Sequence, residues 1–193
     1  MRLTKAERAE NHERIVRVAA RLFREKGVNG VGIDEIMAEA ELTHGAFYGH
    51  FPSKTALIGE ASARAMEESG LARLEGDLSP GTRRSFGELA GRYLSVGHRD
   101  DLGQGCAVAA LAADIGRLDA ATQAQFAHML EARLEELAER LPGDRETGRR
   151  DAILKYATMV GALVMARGAG KGALSDEVLQ IVRERLNDDG KPV

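Results

Sequence analysis

The chain has 193 residues, of which 44% are hydrophobic and 4% aromatic, with no Trp, a single Cys and a net charge of −3. That length suits one compact domain or a small module joined to a larger one, built around a mostly aliphatic core. A lone Cys106 excludes an internal disulfide, and no apolar run reaches the roughly 18 residues a membrane span needs.

The N-terminus carries Arg2, Lys5, Glu7 and Arg8 in place of the apolar core of a signal peptide, so a cytoplasmic protein with no membrane partner is expected. The first 30 residues hold eight Lys/Arg against four Glu, and the rest of the chain is acidic. A local phosphate-binding surface is compatible with that asymmetry, as is a solvated helix face. A nonspecific architectural DNA binder would need a basic chain throughout. Ala, Leu, Glu and Arg are abundant, prolines are few and no strand-like alternation persists, which predicts an all-α protein of about nine helices.

The first helix is expected from near His12 to Lys26, with Ile15, Val18, Ala19, Leu22 and Phe23 on one stripe. Thr4-Lys5-Ala6-Glu7 has capping-box form, so the helix can begin earlier, and Gly27 stops it. A short second helix follows from Asp34 to Ala40, with Ile33, Ile36, Met37 and Ala40 inward. Thr43 is a good N-cap for a third helix over about 44–50, ended by Phe51-Pro52, and Ser53 caps a fourth reaching about Glu75.

Gly76 to Gly81 breaks the chain, and helices are expected over about 82–97, 106–115, from Asp119 to Pro142, 147–167 and 175–187. A loop separates Gly97 from Gly105, and a polar tail begins at Asp188. The division is an N-terminal three-helix helix-turn-helix module (1–54) and a larger C-terminal helical domain (55–193).

The third helix carries the chemistry. Helical phase puts Phe47 and Phe51 on the inner side, and Gly45, Gly49 and Ala46, flanked by Tyr48, on the outer. Two glycines cost such a helix roughly 1 kcal/mol each relative to alanine, a local inconsistency that marks a functional surface. Here it lets backbone approach a bulky partner such as a DNA major groove. Thr43, His44, Tyr48 and His50 can donate to phosphates or base edges, and Lys54 stands in the first turn of the next helix, where a phosphate oxygen is favoured.

Phe23-Arg24-Glu25-Lys26-Gly27, then Ile33-Asp34-Glu35-Ile36, then Leu42-Thr43-His44-Gly45-Ala46-Phe47-Tyr48-Gly49-His50-Phe51-Pro52-Ser53-Lys54 closely resembles the TetR family over about residues 10–58. The resemblance implies a homodimer that places two recognition helices on double-stranded operator DNA, about 34–36 Å apart, and is released by a small-molecule effector. It puts Thr43, His44, Gly45, Tyr48, His50 and Lys54 at DNA, with Phe23, Phe47 and Phe51 in the module's core. Three departures stand out. Gly32 replaces a frequent Thr cap, Glu41 takes a turn position commonly held by glycine, which puts an αL turn there in question, and Gly49 replaces an aromatic or His.

The segment Gly105 to Ala112 followed by Asp119 resembles a recurring version of the TetR effector domain. Candidate pocket residues are Met66, Cys106, Leu111, Phe126, Met129, Leu130, Tyr156 and Met159, each of which can equally be core. Cys106, near an expected helix N-terminus, is either buried packing or a sensor of oxidants and electrophiles. Ile153, Ala157, Val160, Gly161, Val164, Val178, Leu179, Val182 and Leu186 on the last two helices are the expected dimer interface. No metal cluster, phosphate loop or nucleophile elbow is present, so no cofactor and no enzyme is expected. The catalytic alternative is Cys106 with His98 or His128 as base.

Overall fold

The computed structural model describes residues 4–69, 71–76 and 82–188, and among them there is no strand. The chain runs through α1 (Lys5–Lys26), α2 (Ile33–Glu39), a 3-10 helix η1 (His44–Gly49), α3 (Lys54–Glu68), α4 (Leu71–Glu75) and α5 (Phe86–Tyr93). It continues through α6 (Val96–Asp100), α7 (Ala107–Ile115), α8 (Ala120–Ala138), α9 (Arg145–Gly168) and α10 (Ala173–Asp188). Past Gly76 the expected break to Gly81 lies outside the described residues, as do Arg2 and the tail beyond Asp188.

Local chemistry sets the helix ends. The Thr4 hydroxyl accepts from the Glu7 N–H while the Glu7 carboxylate accepts from the Thr4 N–H, so α1 begins well before His12. Gly27, at φ +75°, ends it. Ser53, Asp119 and Asp144 cap α3, α8 and α9 by accepting from the N–H groups of Ala56, Thr122 and Thr147.

The single helix expected from Ser53 to about Glu75 is divided. α3 stops at Ser69, where Arg133 of α8 donates to the carbonyls of Met66 (3.0 Å) and Ser69 (3.4 Å). The Ser69 hydroxyl in turn accepts from the Ala107 N–H at 3.2 Å. With the last-turn carbonyls satisfied from outside, the chain can leave the helix axis. The helix expected over 82–97 is likewise two, α5 with a Ser85–Glu88 capping box and α6 capped by Ser95. The loop expected from Gly97 therefore begins only after Asp100.

One apolar core runs continuously from Ile15 to Leu186. α3 packs on α1 on one side and on α7 and α8 on the other, while α9 pairs with α8 and α10. Polar links also join the N-terminal helices to the rest. Buried Arg24 donates to the carbonyls of Gly103 (2.7 Å) and Ala65 (3.2 Å) and pairs with Glu68 (2.7 Å). Val28 is held from both sides: its N–H donates to Asp114 at the end of α7 (3.0 Å), and its carbonyl accepts from Lys54 Nζ (2.7 Å).

Candidate nucleic-acid interface

The turn between α2 and η1 is fixed by two backbone bonds. Leu42 N–H reaches Met37 O at 2.9 Å and Glu41 N–H reaches Ala38 O at 3.1 Å, the pair that defines a Schellman motif. Glu41 sits at φ +57°, the only non-glycine residue in the left-handed region among those described. The αL turn therefore forms although glycine is absent.

The element that follows is a 3-10 helix instead of the expected α-helix. Its tighter three-residue turn eclipses His44, Phe47 and His50 and swings Ala46, expected outward, to a half-buried place against the core. Thr43 occupies the N-cap position with no side-chain bond, because the Ala46 N–H is already held by Thr43's own carbonyl at 3.0 Å. Phe47 and Phe51 are fully buried, their ring centroids 5.6 Å apart, and Phe23 lies in the same core.

The outward surface is small and open. Tyr48 is 62% exposed, its ring edge-on to Phe47 with centroids 5.2 Å apart. Gly45 and Gly49 are exposed, and a Cβ built on either would meet nothing within 4 Å. The glycines are thus not demanded by packing among the described residues. Thr43 is exposed, and exposed His44 pairs with Asp34.

His50 is half-buried beside the His12 and Phe51 rings; burial first, then the nearby charges of His12 and Arg8, lower its pKa below the ordinary histidine value. It borders a cleft of about 360 Å³ together with Lys5, Arg8, Ala9 and His12. Lys54 is half-buried, with one ammonium proton directed to Val28 O.

Lys5 and Arg8 are the residues that motif reading passed over. Both are exposed, and Arg8 donates to the Gly49 carbonyl, which brings a guanidinium to the end of η1. The signal was the basic excess of the first 30 residues, read there as a total. Much of that excess is consumed internally: Arg21 pairs with Glu25 and Glu39, Arg24 with Glu68 and Lys26 with Glu35.

In the larger part of the chain a cavity of about 720 Å³ lies between the end of α3, α4, α5, α6 and the start of α7. Cys106 is on its wall. Met66, Leu111, Tyr156 and Met159 are buried in the core, and Phe126, Met129 and Leu130 are half-buried along α8. The Cys106 sulfur lies 3.6 Å from the Tyr156 hydroxyl. His98 Nδ1 meets the Tyr93 carbonyl at 2.7 Å, so that nitrogen carries the proton, and Nε2 accepts from the Cys106 N–H at 3.0 Å. Both ring nitrogens are therefore spent on backbone, and neither is free to act as a base on the thiol. His128 is exposed on α8.

On α9, Ile153, Ala157, Gly161 and Val164 lie exposed along one face, joined by Leu154 (67%) and Met165 (63%). α10 adds exposed Leu174 and Ile181. Val160, Val178 and Val182 are half-buried, and Leu179 and Leu186 pack against their own chain. Among the described residues no helix is long and apolar enough to cross a membrane, and no group of three or more His, Cys, Asp or Glu could hold a metal.

The profile of the bacterial regulatory proteins, tetR family, matches residues 15–61, the span from α1 through η1 into α3. Residues 15–61 thus carry a TetR-type N-terminal module. The chain is 43% identical over 65 residues to the HTH-type transcriptional repressor BepR of Brucella suis, covering 34% of this chain and 31% of that protein. The match thus spans about a third of BepR. A longer similarity, 25% identity over 185 residues, links it to the HTH-type transcriptional repressor DhaR of a Mycobacterium species, covering 90% of this chain and 91% of that one. The crystal structure of the reduced form of NemR from E. coli superposes with a TM-score of 0.73 at 21% identity, covering 93% of this chain and 96% of that one. That likeness establishes the TetR-type fold over the part of the chain that it covers.

Proposed function

We propose that this protein is a sequence-specific DNA-binding transcription regulator that represses as a homodimer and is released from its operator by a small molecule. One observation carries the reading: η1 is anchored by Phe47 and Phe51 yet turns outward a surface of Tyr48, Gly45, Gly49 and Thr43 that nothing among the described residues covers. Such a surface fits close backbone approach to a major groove, with hydrogen-bonding groups at its edges. His44, His50 and Lys54 complete the contact set, and Lys5 and Arg8 add phosphate contacts at the end of η1. The names of BepR and DhaR, both repressors, support the direction of control.

The apolar face of α9, with Leu174 and Ile181 of α10, is the dimer surface, pairing with its counterpart across a two-fold axis. The protein is not an enzyme in this reading, because Cys106 lacks a free base at His98. Binding to DNA from the protein's own promoter region tests the proposal. Retention should survive unrelated competitor DNA, fall steeply with salt and drop in Tyr48→Ala and Lys54→Ala with the fold intact. Equal displacement by any competitor DNA would refute it.

A second reading, release through oxidation or electrophile attack at Cys106, is favoured by the placement of that thiol on the cavity wall. An oxidant should then release wild type and leave Cys106→Ser bound. Equal release of both would discard it.

A further inference from the structure

The cavity beneath α5 and α6 is lined by a buried tyrosine whose hydroxyl is left unpaired. Tyr93 is 3% exposed and lines this space, yet its hydroxyl has no hydrogen-bond partner among the described residues. Burial, reinforced by the adjacent Cys106 thiol and Tyr156 hydroxyl, holds its pKa well above the usual phenol range, so the group is a protonated donor. An unpaired donor at this depth costs the free protein stability.

The other polar side chains of the wall divide into spent and unspent. Asp101 accepts from Arg73 (3.1 Å) and from the Gln104 N–H (3.1 Å). Glu88 accepts from the N–H (2.8 Å) and hydroxyl (2.9 Å) of Ser85. Arg84 donates to the Glu75 carbonyl at 2.9 Å, and both nitrogens of His98 are bound to backbone. Arg92, exposed on the wall, makes no ion pair among the described residues. The Ser69 hydroxyl accepts from Ala107 and keeps its own proton to donate, and the Gln104 amide keeps its NH2 while its oxygen accepts from Arg73. What remains unspent is mainly donors: the Arg92 guanidinium, the terminal nitrogens of Arg84, the hydroxyls of Ser69, Tyr93 and Ser95 and the Gln104 NH2, against one free oxygen of Glu88.

We infer that this cavity binds a small organic carboxylate, its charged end on Arg92 and a second acceptor atom on the Tyr93 hydroxyl. The assignment rests on the effector-released reading above and names the chemical class of that effector. A neutral apolar ligand would leave Tyr93 unpaired, and a cation would meet Arg73, Arg84 and Arg92.

The experiment measures binding to the full chain by calorimetry and thermal shift, using benzoate, 4-hydroxybenzoate and the two corresponding amides as probes. The carboxylates should bind about tenfold or more tightly than their amides, and Arg92→Gln should abolish that preference. Tyr93→Phe carries a double signature. It should weaken 4-hydroxybenzoate by about tenfold while raising the melting midpoint of the free chain by about 2 °C. Equal binding of acids and amides, no binding of either acid at millimolar concentration, or a lower midpoint in Tyr93→Phe would overturn the inference.

Release of promoter DNA, followed in parallel, separates the two readings. Carboxylate binding without release upholds the cavity assignment and refutes effector release. Release by the amides alone does the reverse.

Discussion

Replacing Glu41 by glycine removes a Cβ from backbone held at φ +57° by the two bonds of the α2 terminus. An L-residue pays about 1–2 kcal/mol to sit there, whereas glycine pays none of it. Glycine returns about 0.5–1 kcal/mol through the greater freedom of its unfolded chain. The Glu41 side chain is exposed and enters no ion pair among the described residues, so little else is lost. The expected net gain is about 0.5–1 kcal/mol, or roughly 2–3 °C in melting midpoint for a chain of this size. Glu41→Ala keeps the Cβ and should gain nothing, which isolates the backbone effect from loss of the carboxylate. Both variants should be melted at one fixed concentration, since a dimer's midpoint depends on it. If glycine is no better than alanine at this position, the cost assigned to the turn is wrong.

Three further outcomes follow from the same geometry. Gly45→Ala and Gly49→Ala should leave the melting midpoint unchanged or raised, because a Cβ at either meets nothing, while promoter binding falls several-fold; a stability loss without a binding loss would contradict the close-approach argument. Burial lowers the His98 pKa below 6.5, outweighing the opposing bond to the Tyr93 carbonyl, so between the folded and unfolded values the unfolded chain binds more protons. Its contribution is complete above pH about 6.5 and is lost as pH falls through the lower folded value, with a slope of at most about 1.4 kcal/mol per pH unit. Denaturant titrations of wild type and His98→Gln across pH 5–8 should differ by that slope, and parallel curves would refute it. Finally, Leu154→Glu with Met165→Glu should yield a folded monomer by sedimentation, since both side chains already face solvent; a dimer unchanged at micromolar concentration would move the interface elsewhere.

Much of the fold was legible because its signals are local. The Thr4/Glu7 box, Gly27, Ser53 and Asp119 act through bonds that span three or four residues, and each sits where its chemistry predicts. Phe47 and Phe51 were legible for a related reason, as large apolar rings in an otherwise polar segment. What escaped depends on partners distant in sequence. At the end of α3 the Ser69 carbonyl is held by Arg133, 64 residues away, which no local pattern announces, although Gly70 after it is a stop signal that the reading of one long helix passed over.

Periodicity identified the apolar faces of α9 and α10 but not what covers them. Leu179 and Leu186 are buried within their own chain, while Leu154 and Met165 are left outside. The 720 Å³ cavity shares only Cys106 with the expected pocket residues, and the rest of its wall includes arginines, a tyrosine and a histidine. Apolar content marks burial, and it carries no information on where packing fails to close.

The two-sided grip on Val28 has a consequence for anyone who would graft these N-terminal helices onto another chain of the same fold. The natural seam in the sequence, between Ser53 and the helix after it, is no seam in three dimensions. α3 supplies Leu57, Ile58, Ala61 and Ala65 to the common core, and Val28 is bonded to Asp114 far along the chain. A hybrid joined at residue 54 would keep η1 whole and lose the surfaces that hold it in place. A serviceable junction falls after Glu68, with the α7 segment carrying Asp114 transplanted alongside.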